Sequence, residues 1–199
     1  MSVCLVGEPT CSEVMGDTIK IGRRGSLSAV ITLQGVQGHS AYPERALNPL
    51  PIVAKLVSRI TDHELDQGTD YFDPSTLTIT SIDTGNKATN VIPQSCEVML
   101  NIRFNDAHSS ESLLNWLESE VQKIENESRV KVSIKAKVSG ESFITKPGEL
   151  SNLALSAIYK ITGTEAKLST SGGTSDARFV REHCPVVEFG LLGNTLHQV

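Results

Sequence analysis

Between residues 25 and 138 the sequence switches repeatedly between two periods, and the order of those switches leaves few folds open. Leu27, Ala29, Ile31 and Leu33 alternate with Ser28, Val30, Thr32 and Gln34, which predicts a strand with one buried face. Asn48 and Pro49 then open a helix striped by Ile52, Val53, Leu56, Val57 and Ile60. Leu77 and Ile79 alternate with threonines. After the turn Thr84-Gly85-Asn86, Val98, Leu100, Ile102 and Phe104 alternate with Met99, Asn101, Arg103 and Asn105. Ser109 and Ser110 start a second helix, striped by Leu113, Leu114, Leu117, Val121 and Ile124. A last strand turns Val130, Val132, Ile134 and Ala136 inward, with Lys131, Ser133, Lys135 and Lys137 outward. The order β-α-β-β-α-β predicts a ferredoxin-like α/β (α+β) unit with both helices on one face of its sheet.

The flanking stretches read differently. Val3 to Gly7 is a short apolar run suited to a strand buried on both faces, with no evident neighbour, and Asp17 to Arg24 alternates as a strand leading into a turn. Beyond Gly140, Pro147-Gly148 precedes a helix striped by Leu150, Leu153, Ala154, Ala157, Ile158 and Ile161 and stopped by Gly163. A glycine-rich turn, Ser171 to Asp176, leads into a short helix with Asp176 as its cap, and Val186 to Leu192 is a final apolar run. These outer strands are expected to be too few and too apolar to close a sheet of their own. Either another chain completes them or the sequence is cut from a longer protein.

The net charge of −5 offers no basic stripe for a phosphate backbone, so nucleic acid is not expected as a partner. No apolar run is long enough to span a membrane. Cys4, Cys11, Cys96 and Cys184 lack metal-knuckle spacing, and the start resembles no secretory signal, so the thiols are expected to be reduced in a cytoplasmic protein.

Three features carry chemistry. His39 stands in Gly35-Val36-Gln37-Gly38-His39-Ser40-Ala41-Tyr42-Pro43, where the glycines admit turns and Pro43 halts the preceding strand, so the imidazole is displayed on a loop. Glu8 and His197 each follow an apolar run, at strand ends where open α/β sheets place ligands, and both residue types bind zinc. Two ligands do not complete a catalytic zinc site, and no HExxH is present. Lys20, Arg23, Arg24, Arg103 and Arg178 are cations at strand ends and turns that can clamp carboxylates or remain solvated. The turn at Gly172 to Ser175 lacks the lysine of a phosphate loop, and no nucleophile elbow or convincing Cys-His pair supports covalent hydrolysis.

In their order, VCLVGEPT, IGRRGSL, GVQGHSAYP, NVIP followed by NIRF, SGGTSDARF and FGLLGNTLHQV resemble the succinyl-diaminopimelate desuccinylase family, within the dinuclear zinc aminoacylase and carboxypeptidase superfamily. Arg23-Arg24-Gly25-Ser26 and Gly173-Thr174-Ser175-Asp176 look like that family rather than the related acetylornithine deacetylases. The resemblance implies that Glu8 and His197 are zinc ligands, with Co2+ as a substitute metal, and that His39 stabilises a tetrahedral oxyanion in the partner subunit's active site. It also implies that Lys20, Arg23, Tyr42, Asn90, Arg103 and Thr174 contact a small dicarboxylate substrate. Residues 25–138 would then be a lid and dimerisation domain that forms a homodimer, inserted between the parts of a catalytic domain at 1–24 and 139–199. The family's His-x-Asp pair, bridging Asp and catalytic Glu are not in this sequence, so an internal fragment without activity of its own is expected.

Overall fold

The structure is a computed structural model, and it describes residues 2–173 and 175–193. Along the chain run β1 (Cys4–Val6), β2 (Thr18–Lys20), β3 (Gly22–Arg23), β4 (Gly25–Gln34), β5 (Gly38–His39), a 3-10 turn (Pro43–Arg45) and α1 (Leu50–Thr61). Then come β6 (Thr76–Asp83), β7 (Val91–Ile92), β8 (Ser95–Phe104), α2 (Ser110–Glu127), β9 (Lys131–Gly140) and β10 (Phe143–Ile144). The chain closes with α3 (Glu149–Thr162), β11 (Lys167–Ser169), α4 (Ala177–Val180) and β12 (Val186–Glu188).

The periodic centre of the sequence makes an antiparallel sheet in the order β6-β8-β4-β9. Its alternating positions meet α1 and α2 on one side. Leu27, Ile31, Leu33, Leu56, Ile60, Ile102, Phe104 and Leu117 are wholly buried there. Ser109 caps α2, accepting from the Ser112 amide at 3.1 Å, while the Ser112 hydroxyl takes the Ser109 amide in return. On the opposite face, Ser26, Arg103 and Thr76 lie in register across three strands, as do Ser28, Asn101 and Thr78. The edge strand β9 is less covered than its pattern predicts: Val132 and Ile134 are half-buried and Ala136 is exposed, because the helices reach only part of its length.

The outer stretches do form a sheet, in the order β1-β12-β2-β11, contrary to the expectation from their apolarity. The apparently isolated β1 pairs in parallel with β12, far away in sequence, where no local signal can reveal a partner. The stretch from Asp17 to Arg24 is not one strand. It breaks after Lys20, so that β2 joins the outer sheet while β3 pairs with β10. That small ladder, with Arg23 opposite Phe143 and Gly22 opposite Ile144, ties together the two chain segments that enter and leave the inner sheet. A second tie is the Thr170 hydroxyl, which donates to the Tyr71 carbonyl at 2.5 Å and joins the loop after α1 to the end of β11.

The stripe of α3 is only partly buried. Ile158 packs with Ile19, Ile21 and Val187, whereas Leu153 and Ile161 are 67% and 83% exposed. Nothing in the described residues covers that side of the helix. The four cysteines are free thiols, and no helix among the described residues is long and apolar enough to cross a membrane.

Candidate functional site

His39 is held by backbone rather than left on a loose loop. It sits opposite Val91 in the β5–β7 ladder, and the Ser40 amide donates to the Asn90 carbonyl at 2.9 Å. Pro43 then starts the 3-10 turn that ends this run. The Ala41 amide donates to His39 Nδ1 at 3.0 Å. An amide N–H can only donate, so Nδ1 is an acceptor and the neutral ring carries its proton on Nε2. The exposed imidazole thus presents an N–H donor to whatever approaches it. Tyr42 stands beside it, ring centroids 6.0 Å apart, with the Arg45 guanidinium 4.9 Å over the Tyr42 ring. His39, Tyr42 and Asn90, named separately in the sequence, therefore share one rim.

A second group forms where β2 and β3 meet the chain after β11. Lys20, only 8% exposed, donates from Nζ to Ser169 Oγ at 2.9 Å and to Ser171 Oγ at 2.7 Å. Burial lowers its ammonium pKa, and the neighbouring Arg23 charge lowers it further. Among the described residues no carboxylate lies within ion-pair distance of it. Arg23 is also buried, but it is no open clamp. Its Nε and Nη2 donate to Glu188 Oε2, the first at 2.8 Å, and its Nη1 donates to the Ser171 carbonyl at 3.3 Å. Gly172 makes room for this guanidinium. It has φ of 104°, and a Cβ there would lie 2.5 Å from Arg23 Nη1.

Glu8 follows β1 as the apolar run predicts, half-buried, with its backbone packed against Gly190 so closely that a Cβ at Gly190 would strike the Glu8 carbonyl. Among the described residues no three His, Cys, Asp or Glu side chains come together to hold a metal ion. Thr174 and His197 lie outside the described residues. Arg103 is half-buried on the face of the inner sheet away from the helices, and no hydrogen bond or ion pair joins it to either group among the described residues. Arg178 is spent on the Ser139 carbonyl and lies over the Phe179 ring. Asp176 stands at the start of α4 without a capping hydrogen bond, because its backbone is already helical.

Sequence reasoning missed Glu188, Ser169 and Ser171, and it placed Ser175 only in a glycine-rich turn, with no hint of its bond to Glu188. Ser169 and Ser171 carry no signal. Glu188 had one: a charge inside the apolar run Val186 to Leu192 is rarely buried unless paired.

A family model for the peptidase dimerisation domain matches residues 21–129. The chain is 63% identical over all its 199 residues to a protein of Ruegeria pomeroyi named succinyl-diaminopimelate desuccinylase, and covers 52% of it. A protein of the same name from Cereibacter sphaeroides is 61% identical over the same span, again with 52% covered. The chain thus spans about half the length of the curated relatives it matches. Among solved structures, aminopeptidase PepT from Bacillus cereus superposes with a TM-score of 0.76 at 17% identity, over 94% of this chain and 48% of that one, a likeness of fold alone.

Proposed function

This chain belongs to the peptidase dimerisation domain family, and on that premise we propose that the whole protein hydrolyses N-succinyl-LL-2,6-diaminopimelate to LL-2,6-diaminopimelate and succinate. The observation that carries this reading is the 63% identity along the full chain to a relative bearing the desuccinylase name. On this reading, residues 25–138 are the lid through which two copies pair, inserted into a catalytic domain of which the outer sheet is a part.

His39 supplies the clearest chemistry of this chain. With Nδ1 engaged by the Ala41 amide, Nε2–H is a fixed donor for an oxyanion that develops on a substrate amide in the partner subunit's site. Lys20 supplies a buried positive charge suited to a substrate carboxylate. Tyr42 and Asn90 extend the His39 rim, and Arg23, Arg103 and Thr174 complete the proposed substrate contacts.

The donor set tests the expected metals. Glu8 fits as one ligand, a half-buried carboxylate with no ion pair among the described residues, but no three-ligand group forms around it. Zinc, or cobalt in its place, would be held by Glu8 and His197 only with ligands from beyond this sequence. When bound, such a metal lowers the pKa of its water and polarises the scissile amide.

The reading is tested by turnover of the full-length protein with succinyl and acetyl substrates. Preference for N-succinyl-diaminopimelate supports it, while preference for an acetylated amino acid such as acetylornithine transfers the reading to a related deacylase. The 199-residue chain alone, assayed with added zinc, is expected to be inactive and to serve at most as a pairing module.

A further inference from the structure

Glu188 is 1% exposed, the most deeply buried charged side chain among the described residues. A carboxylate at that depth persists only when its charge is paired and its oxygens are hydrogen-bonded. Both conditions are met, and both by residues of the cationic group. Oε2 accepts from Arg23, and Oε1 accepts from the Ser175 hydroxyl. Glu188 therefore joins three separate segments at one point: its own strand β12, the β3 strand that carries Arg23, and the chain before α4 that carries Ser175.

The consequence reaches Lys20. Its backbone is paired with Glu188 in the outer sheet, and Arg23, held by Glu188, donates in turn to the Ser171 carbonyl, while the Ser171 hydroxyl receives Lys20 Nζ. Two cations face one anion in this cluster, so one positive charge is left over. Two of the three Lys20 N–H donors are taken by Ser169 and Ser171, and the remaining one has no acceptor among the described residues.

We propose that Glu188 is a positioning residue for carboxylate recognition: by fixing Arg23 and Ser175 it sets Lys20 and Ser171 in place and trims the cluster to a single positive charge, matched to one carboxylate of the substrate. The inference deepens the hydrolase reading above and rests on it for the identity of that substrate.

The test is a double-mutant cycle in the full-length protein, with Glu188→Gln, Arg23→Gln and both together. KM and kcat are measured with N-succinyl-LL-diaminopimelate, and calorimetry follows binding of succinate and of LL-diaminopimelate. Glu188→Gln is expected to raise KM about tenfold with a smaller fall in kcat, and Glu188→Asp, which keeps the charge, to recover part of the loss. Arg23→Gln alone leaves Glu188 unpaired beside Lys20 and the cluster without its surplus positive charge, so in that background Glu188→Gln is expected to lower KM several-fold instead of raising it. Losses that add, with the double variant binding worse than either single variant, mean that Glu188 does not act through Arg23 and overturn the inference. So does an unchanged KM in Glu188→Gln. If that variant does not fold because Arg23 is stranded, the double variant removes both charges, and its KM should lie below that of Arg23→Gln; a several-fold higher KM refutes the assignment. A parent protein that hydrolyses nothing, yet binds a product about tenfold more weakly after Glu188→Gln, keeps this inference and sinks the hydrolase reading. A parent with neither turnover nor product binding sinks both.

Discussion

Asp66 offers the sharpest test of how the loop after α1 is held. Its carboxylate accepts from the Gly68 amide at 2.7 Å, the Ser75 amide at 3.2 Å and Asn105 Nδ2 at 2.6 Å, and it lies 3.1 Å from His108 Nε2. Burial alone would raise its pKa, but the hydrogen bonds from Ser75, Gly68 and Asn105 outweigh that and hold it at about 2, against an ordinary 3.8. At about 1.4 kcal/mol per unit the depression amounts to roughly 2.5 kcal/mol, and solvent screening at the open side of the loop reduces it to about 1 to 2 kcal/mol. The sign follows from linkage. A carboxyl with a depressed folded pKa contributes stability above its unfolded value, near 3.8, and that contribution is lost as pH falls through about 2. Asp66→Asn should therefore destabilise the protein by about 1 to 2 kcal/mol at pH 7 and at pH 5, with the gap between variant and parent closing from pH 4 downward. Trp116 is the one tryptophan of the sequence and stacks on His63 at 4.7 Å, close to this loop, so urea unfolding can be followed by its fluorescence. A variant as stable as the parent at pH 7, or a gap that persists undiminished at pH 2.5, would refute the reasoning.

His39→Ala in the full-length protein should lower kcat about a hundredfold or more with metal content unchanged, as measured by steady-state kinetics beside elemental analysis; loss of metal would show that the imidazole has another role. Leu117→Ala removes a wholly buried side chain from the inner core, and a loss of about 2 to 5 kcal/mol is expected in urea unfolding; a cost below about 1 kcal/mol would mean that α2 packs more loosely than described.

The inner sheet was legible because each of its faces is single-minded. Ile31 and Leu33 face helices while Thr32 and Gln34 do not, so period alone separates strand from helix. The outer sheet was not legible. Cys4 to Val6 and Val186 to Glu188 are short, and their pairing joins residues at opposite ends of the chain, which local periodicity does not encode. The stripe on α3 is apolar as its period shows, but period does not say what covers a stripe, and Leu153 and Ile161 find no cover among the described residues. For the candidate site, residue type and strand-end position single out Glu8, His197 and a set of cations that includes Lys20 and Arg23, and the glycine-rich loop singles out His39. Glu188 and its hold on Arg23 escaped because a buried ion pair depends on geometry built by three distant segments.

The small ladder between β3 and β10 also bears on how the chain finds its native state. Before the central unit forms, the outer strands are separated by about 120 residues of loose chain. Once that unit is folded, its two ends emerge side by side, and the gap shrinks to a few residues, lowering the entropic cost of closure by roughly 3 kcal/mol. Folding should then proceed from the inside outward, with the middle of the gene product acting as a scaffold that delivers β2, β11 and β12 to one another.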